Sequence, residues 1–226
     1  MHMLGSAGKL ERMTMTAADD ARFWDKTAKR YAASKIADLG GYERTLERTR
    51  SFLQPSHRVL ELGCGTGSTA LRLAGAVSSY LATDISERMI CIARQKLGDE
   101  PVLNLSFQPA VAEDLVRDEH RFDVVLAYNF LHLVRDPAAT LRTISRLLKP
   151  QGMFISKTPC LGEMNVLIRR VLLPVMRTMG QAPHVAVFSA EELKQMVVGE
   201  QFAIVAHENH ASEGSDTRPF IVAKTP

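Results

Sequence analysis

The sequence predicts an α/β fold: a doubly wound, mostly parallel sheet of about seven strands with helices on both faces. Three observations carry this. Val59-Leu60-Glu61-Leu62 has almost no polar alternation, as in a strand buried on both sides, and it breaks into glycines at positions 63, 65 and 67. A second strand-like run, 79–84, ends in Asp84 about 20 residues after the first glycine. From there to Lys157, short apolar runs alternate with segments of helical periodicity.

A strand, a glycine loop and a helix start together make a nucleotide-like binding site. Glycine permits the tight turn and close backbone approach, and the helix N-terminus presents free N–H groups. An acid at the end of the next strand stands where a carboxylate meets ribose hydroxyls. The loop reads G-x-G-x-G, with Ser68 where a dinucleotide fingerprint has its third glycine. Glu61 precedes it, and a carboxylate there disfavours a pyrophosphate and favours an ammonium or sulfonium group. No Gly-Lys-Ser or Gly-Lys-Thr follows, which excludes a P-loop.

The remaining elements follow in order. Residues 1–17 are expected to be disordered and 18–226 to form one domain. A helical cap is expected over 18–55, with helices at 18–36 and at 42–53, the second stopped by Pro55. The glycine loop opens a helix over 68–74, with Leu71 and Ala74 on one face. Ser86 reads as the N-cap of a helix with Met89, Ile90, Ala93 and Leu97 on one stripe. A third strand is expected at 102–107 and a fourth at 122–129, ending in Tyr128 and Asn129 with His132 one turn on. Asp136-Pro137 is a cap and first-turn proline for a helix that points Leu141, Ile144, Leu147 and Leu148 inward. A turn at 149–152 leads into a fifth strand, 153–157. Residues 159–188 are expected to insert as a lid. Within it, 162–180 has Met164, Leu167, Ile168, Val171, Leu172, Val175 and Met179 at helical spacing, with Pro174 to kink it. This helix either packs on the sheet or covers a greasy substrate. Arg169, Arg170 and Arg177 lie off its stripe and are too few to favour a membrane surface. Ser189-Ala190-Glu191-Glu192 is a capping box, and two last strands are expected at 202–206 and 219–223.

Composition narrows the function. The 226 residues carry a net charge of +3, which gives no broad electrostatic surface for nucleic acid. The three cysteines, Cys64, Cys91 and Cys160, have no C-x-x-C pairing and fit a reducing cytoplasm. No apolar run reaches the roughly 18 residues of a membrane span, and the first residues lack the apolar core of a signal peptide. No metal-ligand cluster is apparent.

Leu-Glu-Leu-Gly-Cys-Gly-Thr-Gly over 60–67, with Asp84, closely resembles motifs I and II of the class I S-adenosylmethionine-dependent methyltransferases. Phe122-Asp123-Val124-Val125 and Arg146-Leu147-Leu148-Lys149-Pro150 continue the resemblance, with Gln151 where a glycine is usual. The style is similar to the quinone-biosynthesis and small-metabolite branch. The resemblance implies a Rossmann-like sheet with its last strand antiparallel, S-adenosyl-L-methionine as cofactor, and a small, apolar or aromatic metabolite as methyl acceptor. It implies cofactor contacts from Tyr31, Glu61, Gly63, Cys64, Gly65, Gly67, Asp84, Ile85, Met89, Ala112, Glu113 and Asn129. Trp24, Ala28 and Tyr31 look like the segment that covers the cofactor in such enzymes, although packing onto the core explains them equally well. Where the family carries an acid for the adenine amino group this chain has Val111, so that either Glu113 or the Ala112 backbone takes over. Positioning supplies much of methyl transfer, and a base is needed only where the acceptor loses a proton. His132 is the first candidate for that base and His184 the second. The other readings are a nicotinamide-dependent oxidoreductase, against which the missing G-x-G-x-x-G speaks, and a non-catalytic S-adenosylmethionine-binding protein.

Overall fold

A computed structural model describes residues 17–98, 102–116, 122–163, 184–214 and 217–226. Seven strands form one sheet: β1 (Arg58–Leu62), β2 (Ser79–Asp84), β3 (Leu105–Pro109), β4 (Phe122–Tyr128), β5 (Leu148–Lys157), β6 (Ala203–Glu208) and β7 (Phe220–Lys224). Their order is β3-β2-β1-β4-β5-β7-β6. Neighbours among β1 to β5 run parallel, and β7 is antiparallel to both β5 and β6. The order reverses between β1 and β4, and an open α/β sheet has its ligand crevice at such a point.

Among the described residues the α-helices are α1 (Ala17–Ala33), α2 (Leu39–Arg50), α3 (Ser68–Leu73), α4 (Glu87–Leu97), α5 (Ala112–Leu115), α6 (Pro137–Leu147) and α7 (Ala190–Gly199). Two apolar layers sandwich the sheet. Leu46, Leu73, Ile90 and Ala93 from α2 to α4 pack with Val59, Val124 and Leu126. Leu115, Leu141, Ile144 and Leu193 from α5 to α7 pack on the other face with Leu60, Leu62 and Val125. Burying each such side chain contributes about 1.5–3 kcal/mol, which is why the central strands carry so little polarity.

Local chemistry sets the ends as read. Ser86 Oγ accepts from Met89 N–H at 3.1 Å, Asp136 Oδ1 from Ala139 N–H at 2.9 Å, and both bonds of the Ser189–Glu192 capping box form. Several boundaries move: α1 ends at Ala33 rather than 36, α2 at Arg50 rather than 53, and β5 starts at Leu148 rather than 153. α2 begins at Leu39 rather than 42, because Asp38 accepts from Gly41 N–H and starts it earlier. β3 begins at Leu105 rather than 102, since Leu103 points fully into solvent and 103–104 turn. In α3 the fully buried positions are Ala70, Leu73 and Ala74, with Leu71 only half-buried. Gln151 holds φ +59° in the turn within β5, a left-handed conformation that glycine adopts more cheaply. The expected disorder of the first residues and the apolar helix over 164–180 lie outside the described residues. The ends of that insertion are pinned: Gly162 N–H donates to Phe188 O at 2.8 Å, and Ala186 N–H to His132 O at 2.7 Å. Among the described residues no helix is long and apolar enough to cross a membrane.

Candidate active site

The chain leaves β1 through Gly63, Gly65 and Gly67, with φ of 66°, 53° and 75°, all in the left-handed region. Their surroundings differ. A Cβ on Gly63 would sit 2.5 Å from Phe130 Cδ2, and one on Gly67 would sit 2.7 Å from Phe107. A Cβ on Gly65 would meet Tyr31 alone, at 3.5 Å. Gly67 therefore serves the packing of α3 against β3 and α4, whereas Gly63 and Gly65 line a cavity.

That cavity, of about 570 Å³, lies over the carboxyl ends of β1, β2 and β4. Gly63, Gly65, Asp84, Ile85, Met89, Ala112, Glu113, Asn129 and His132 all line it, so one site gathers most of the residues picked from the sequence. Trp24 and Tyr31 line it from α1, their rings edge-on at 6.3 Å, so the segment both packs and covers.

Asp84 does more than end a strand. Its Oδ2 accepts from Gly65 N–H and its Oδ1 from Ser86 N–H, each at 2.9 Å. One carboxylate thus fixes the glycine loop and the entry to α4 while still facing the cavity. Burial raises its pKa, and the two backbone donors counter that rise.

Glu61 stands apart. It is almost completely buried, accepts from Tyr80 Oη at 2.8 Å, and lines a second cavity of about 340 Å³ behind the loop. Burial pushes its pKa up to about 8, so the side chain is largely protonated at neutral pH. Cys64 lines the same second cavity. Burial, with Glu61 and Asp84 nearby, pushes its thiol far above the usual range and removes it as a nucleophile. Tyr31, Gly63, Tyr128 and Asn129 line both cavities and join them. Asn129 takes φ +50° at the end of β4, where asparagine is tolerated, and its N–H donates to Lys157 O at 2.8 Å.

The two histidines meet the cavity differently. His132 lines the large cavity, and its Nδ1 is buried without a hydrogen-bond partner among the described residues. Desolvation lowers its pKa to about 4, so the ring is neutral at physiological pH. His184 lines neither described cavity, but two residues on, Ala186 N–H donates to His132 O at 2.7 Å, so the chain returns beside the first histidine.

Sequence reading missed Asp20 and Arg135. Arg135 Nη2 donates to Asp20 Oδ2 at 2.7 Å, which clasps α1 to the loop after β4, and both residues line the large cavity. It also missed Asp25, which ties α1 to Ser86 and Arg88. Asp20 lies one turn before Trp24 on the same face of α1, the single local sign of its place. No group of three or more His, Cys, Asp or Glu among the described residues is placed to hold a metal.

Comparison with known proteins gives a consistent answer. A family model described as a methyltransferase domain matches residues 24–207. The uncharacterized methyltransferase YcgJ of Bacillus subtilis is 28% identical over 181 residues, 75% of this chain and 70% of YcgJ. The ubiquinone/menaquinone biosynthesis C-methyltransferase UbiE of Vibrio cholerae is 29% identical over 171 residues, 71% of this chain and 66% of UbiE. The crystal structure of YcgJ superposes with a TM-score of 0.65 at 22% identity, covering 81% of this chain and 98% of that one. N-methyltransferase NodS of Bradyrhizobium japonicum, solved with S-adenosyl-L-homocysteine, superposes with a TM-score of 0.65 at 18% identity over 90% of this chain and 98% of NodS. With the glycine loop, the acid-ended second strand and the strand order, these matches show that the chain belongs to the methyltransferase-domain family, the class I S-adenosylmethionine-dependent methyltransferases.

Proposed function

We propose that the large cavity holds S-adenosylmethionine and a small, apolar or aromatic acceptor together, and that His132 is the base of the transfer. The observation that carries this reading is the cavity's continuity. It joins the glycine loop, Asp84 and Ile85 to a buried, neutral imidazole whose Nδ1 has no hydrogen-bond partner among the described residues. The residues fit the cofactor. Gly63 and Gly65 leave the backbone open to close approach, Asp84 faces the cavity where ribose hydroxyls would need an acceptor, and Ile85 and Met89 give an apolar face for the adenine. Glu61 and Tyr31 lie at the amino-acid end, beside the junction of the two cavities. Bound there, the cofactor supplies a methyl group already activated on a sulfonium.

The chain then has three tasks. The loop and Asn129 position the acceptor's nucleophilic atom in line with the methyl. Trp24, Tyr31 and Phe130 keep water from that atom. His132 takes up the acceptor's proton on Nδ1, which burial leaves free to accept it at neutral pH. The kinship with a quinone-biosynthesis C-methyltransferase supports an aromatic acceptor. The apolar stripe of 164–179 supports a greasy one.

The test uses methyl-labelled S-adenosylmethionine with fractionated cell extract. Label in the organic fraction, lost in His132→Ala while S-adenosylhomocysteine affinity stays, is the expected result. Label confined to aqueous small molecules would overturn the apolar acceptor, and full transfer by His132→Ala would overturn the base.

A further inference from the structure

Helix α1 runs past the large cavity, lining it with Asp20, Trp24 and Tyr31, and is tied down at three stations. At its C-terminal end Tyr31 lies against Gly65. In the middle Asp25 Oδ1 accepts from Ser86 Oγ at 2.6 Å and from Arg88 N–H at 3.1 Å, next to Asp84. Near its start Asp20 meets Arg135. At 1.5 Å per residue, Tyr31 and Asp20 stand about 16 Å apart along the axis, the length of an extended S-adenosyl molecule. On the reading above, on which this inference rests, the amino-acid end lies at the glycine loop and the ribose at Asp84. The adenine then falls at the Asp20 station.

Asp20 is buried, and only one of its oxygens is used. Oδ2 accepts from Arg135, whereas Oδ1 is shielded from solvent and has no hydrogen-bond partner among the described residues. A buried carboxylate oxygen without a donor is costly, so the site calls for an N–H or O–H at that point. In the loop entering α5, Val111 and Ala112 have no side-chain acceptor, and Glu113 lines the cavity as an exposed rather than a buried carboxylate. The cofactor's remaining donor at this end is the exocyclic amine of its adenine.

We propose that Asp20 accepts a hydrogen bond from that amine and so makes the site selective for adenine, with Arg135 as the positioning residue that holds the carboxylate. Base selection then comes from the covering helix rather than from the sheet edge.

The test is calorimetric titration with S-adenosylhomocysteine and with its analogue carrying hydrogen in place of the 6-amino group. The wild-type protein should bind the analogue about tenfold or more weakly, as for a charged hydrogen bond. Asp20→Ala should bind both ligands alike, near the wild-type affinity for the analogue. Asp20→Asn, which keeps an acceptor oxygen, should recover part of the difference. Equal wild-type affinity for the two ligands would overturn the proposal. So would Asp20→Ala weakening both equally, which would make the clasp with Arg135 its whole role, or keeping the discrimination, which would move the contact to Glu113. If the wild-type protein binds neither ligand, the cofactor reading fails and this inference falls with it. Should Asp20→Ala not fold by circular dichroism, the wild-type and Asp20→Asn titrations decide.

Discussion

The two walls of the large cavity are built on opposite principles. The sheet wall, from the glycine loop to Asp84, satisfies itself: both Asp84 oxygens accept backbone N–H groups. The covering wall does not. Asp20 Oδ1 and His132 Nδ1 are buried there without partners among the described residues. A wall whose hydrogen bonds are complete can be rigid before any ligand arrives, which suits a cofactor cradle. A wall that leaves buried polar atoms unanswered is stable only because the rest of the fold offsets them, and such atoms mark where a ligand is read. On the proposed reading, the first wall cradles the cofactor and the second, through Asp20 and His132, reads the adenine and the acceptor.

The largest expected effect breaks the second wall. His132→Gln should lower methyl transfer by about 10² to 10⁴ fold while leaving S-adenosylhomocysteine affinity unchanged, measured by label transfer and calorimetry. Because burial holds the pKa near 4, the wild-type rate should stay flat as pH falls from 7 to 5, with its acid limb near 4 rather than 6.5. The same shift has a sign for stability. Between about pH 4 and 6.5 the unfolded chain binds this proton and the folded one does not. The neutral ring's contribution is therefore present above 6.5 and lost as pH falls through 4.

Breaking the first wall should cost affinity rather than rate. Asp84→Ala removes the clamp on Gly65 and Ser86, and with it the acceptor facing the cavity. We expect about 1.5–3 kcal/mol weaker S-adenosylhomocysteine binding by titration. An unchanged affinity would erase the contrast between the walls.

Glu61 sharpens the comparison through protons. With its folded pKa raised to about 8, it stabilises the fold fully below its unfolded value near 4.5, and that contribution is lost as pH rises through 8. An ammonium placed beside it would favour the carboxylate. Binding of S-adenosylhomocysteine at pH 7 should therefore release a proton, seen as a buffer-dependent calorimetric enthalpy, and Glu61→Gln should abolish the release.

Legibility followed the same division. Glu61, the glycines and Asp84 were readable because a strand, a turn and a helix cap impose fixed residue types on contiguous sequence. Most of the helices, with their caps at Ser86, Asp136 and Ser189, were readable for the same reason. Asp20 and Arg135 were not, because their meeting spans 115 positions of chain and neither has a local signature. Gly67 has a packing role that its sequence does not reveal, because a turn glycine and a packing glycine look alike there; only the nearness of Phe107 and Ala93 shows it. His184 was legible only by residue type, and that Ala186 returns to His132 could not be read from the sequence around it.

The smallest expected effect lies away from both walls and serves as their control. Gln151→Gly relieves a left-handed residue and should raise stability by up to about 1 kcal/mol in urea unfolding, without changing ligand affinity.

The most direct test of the central claim is one titration of the wild-type protein and Asp84→Ala with S-adenosylhomocysteine. The account predicts saturable one-site binding to the wild type and a loss of tenfold or more in the variant. No binding to the wild type, or equal binding to both, would contradict it.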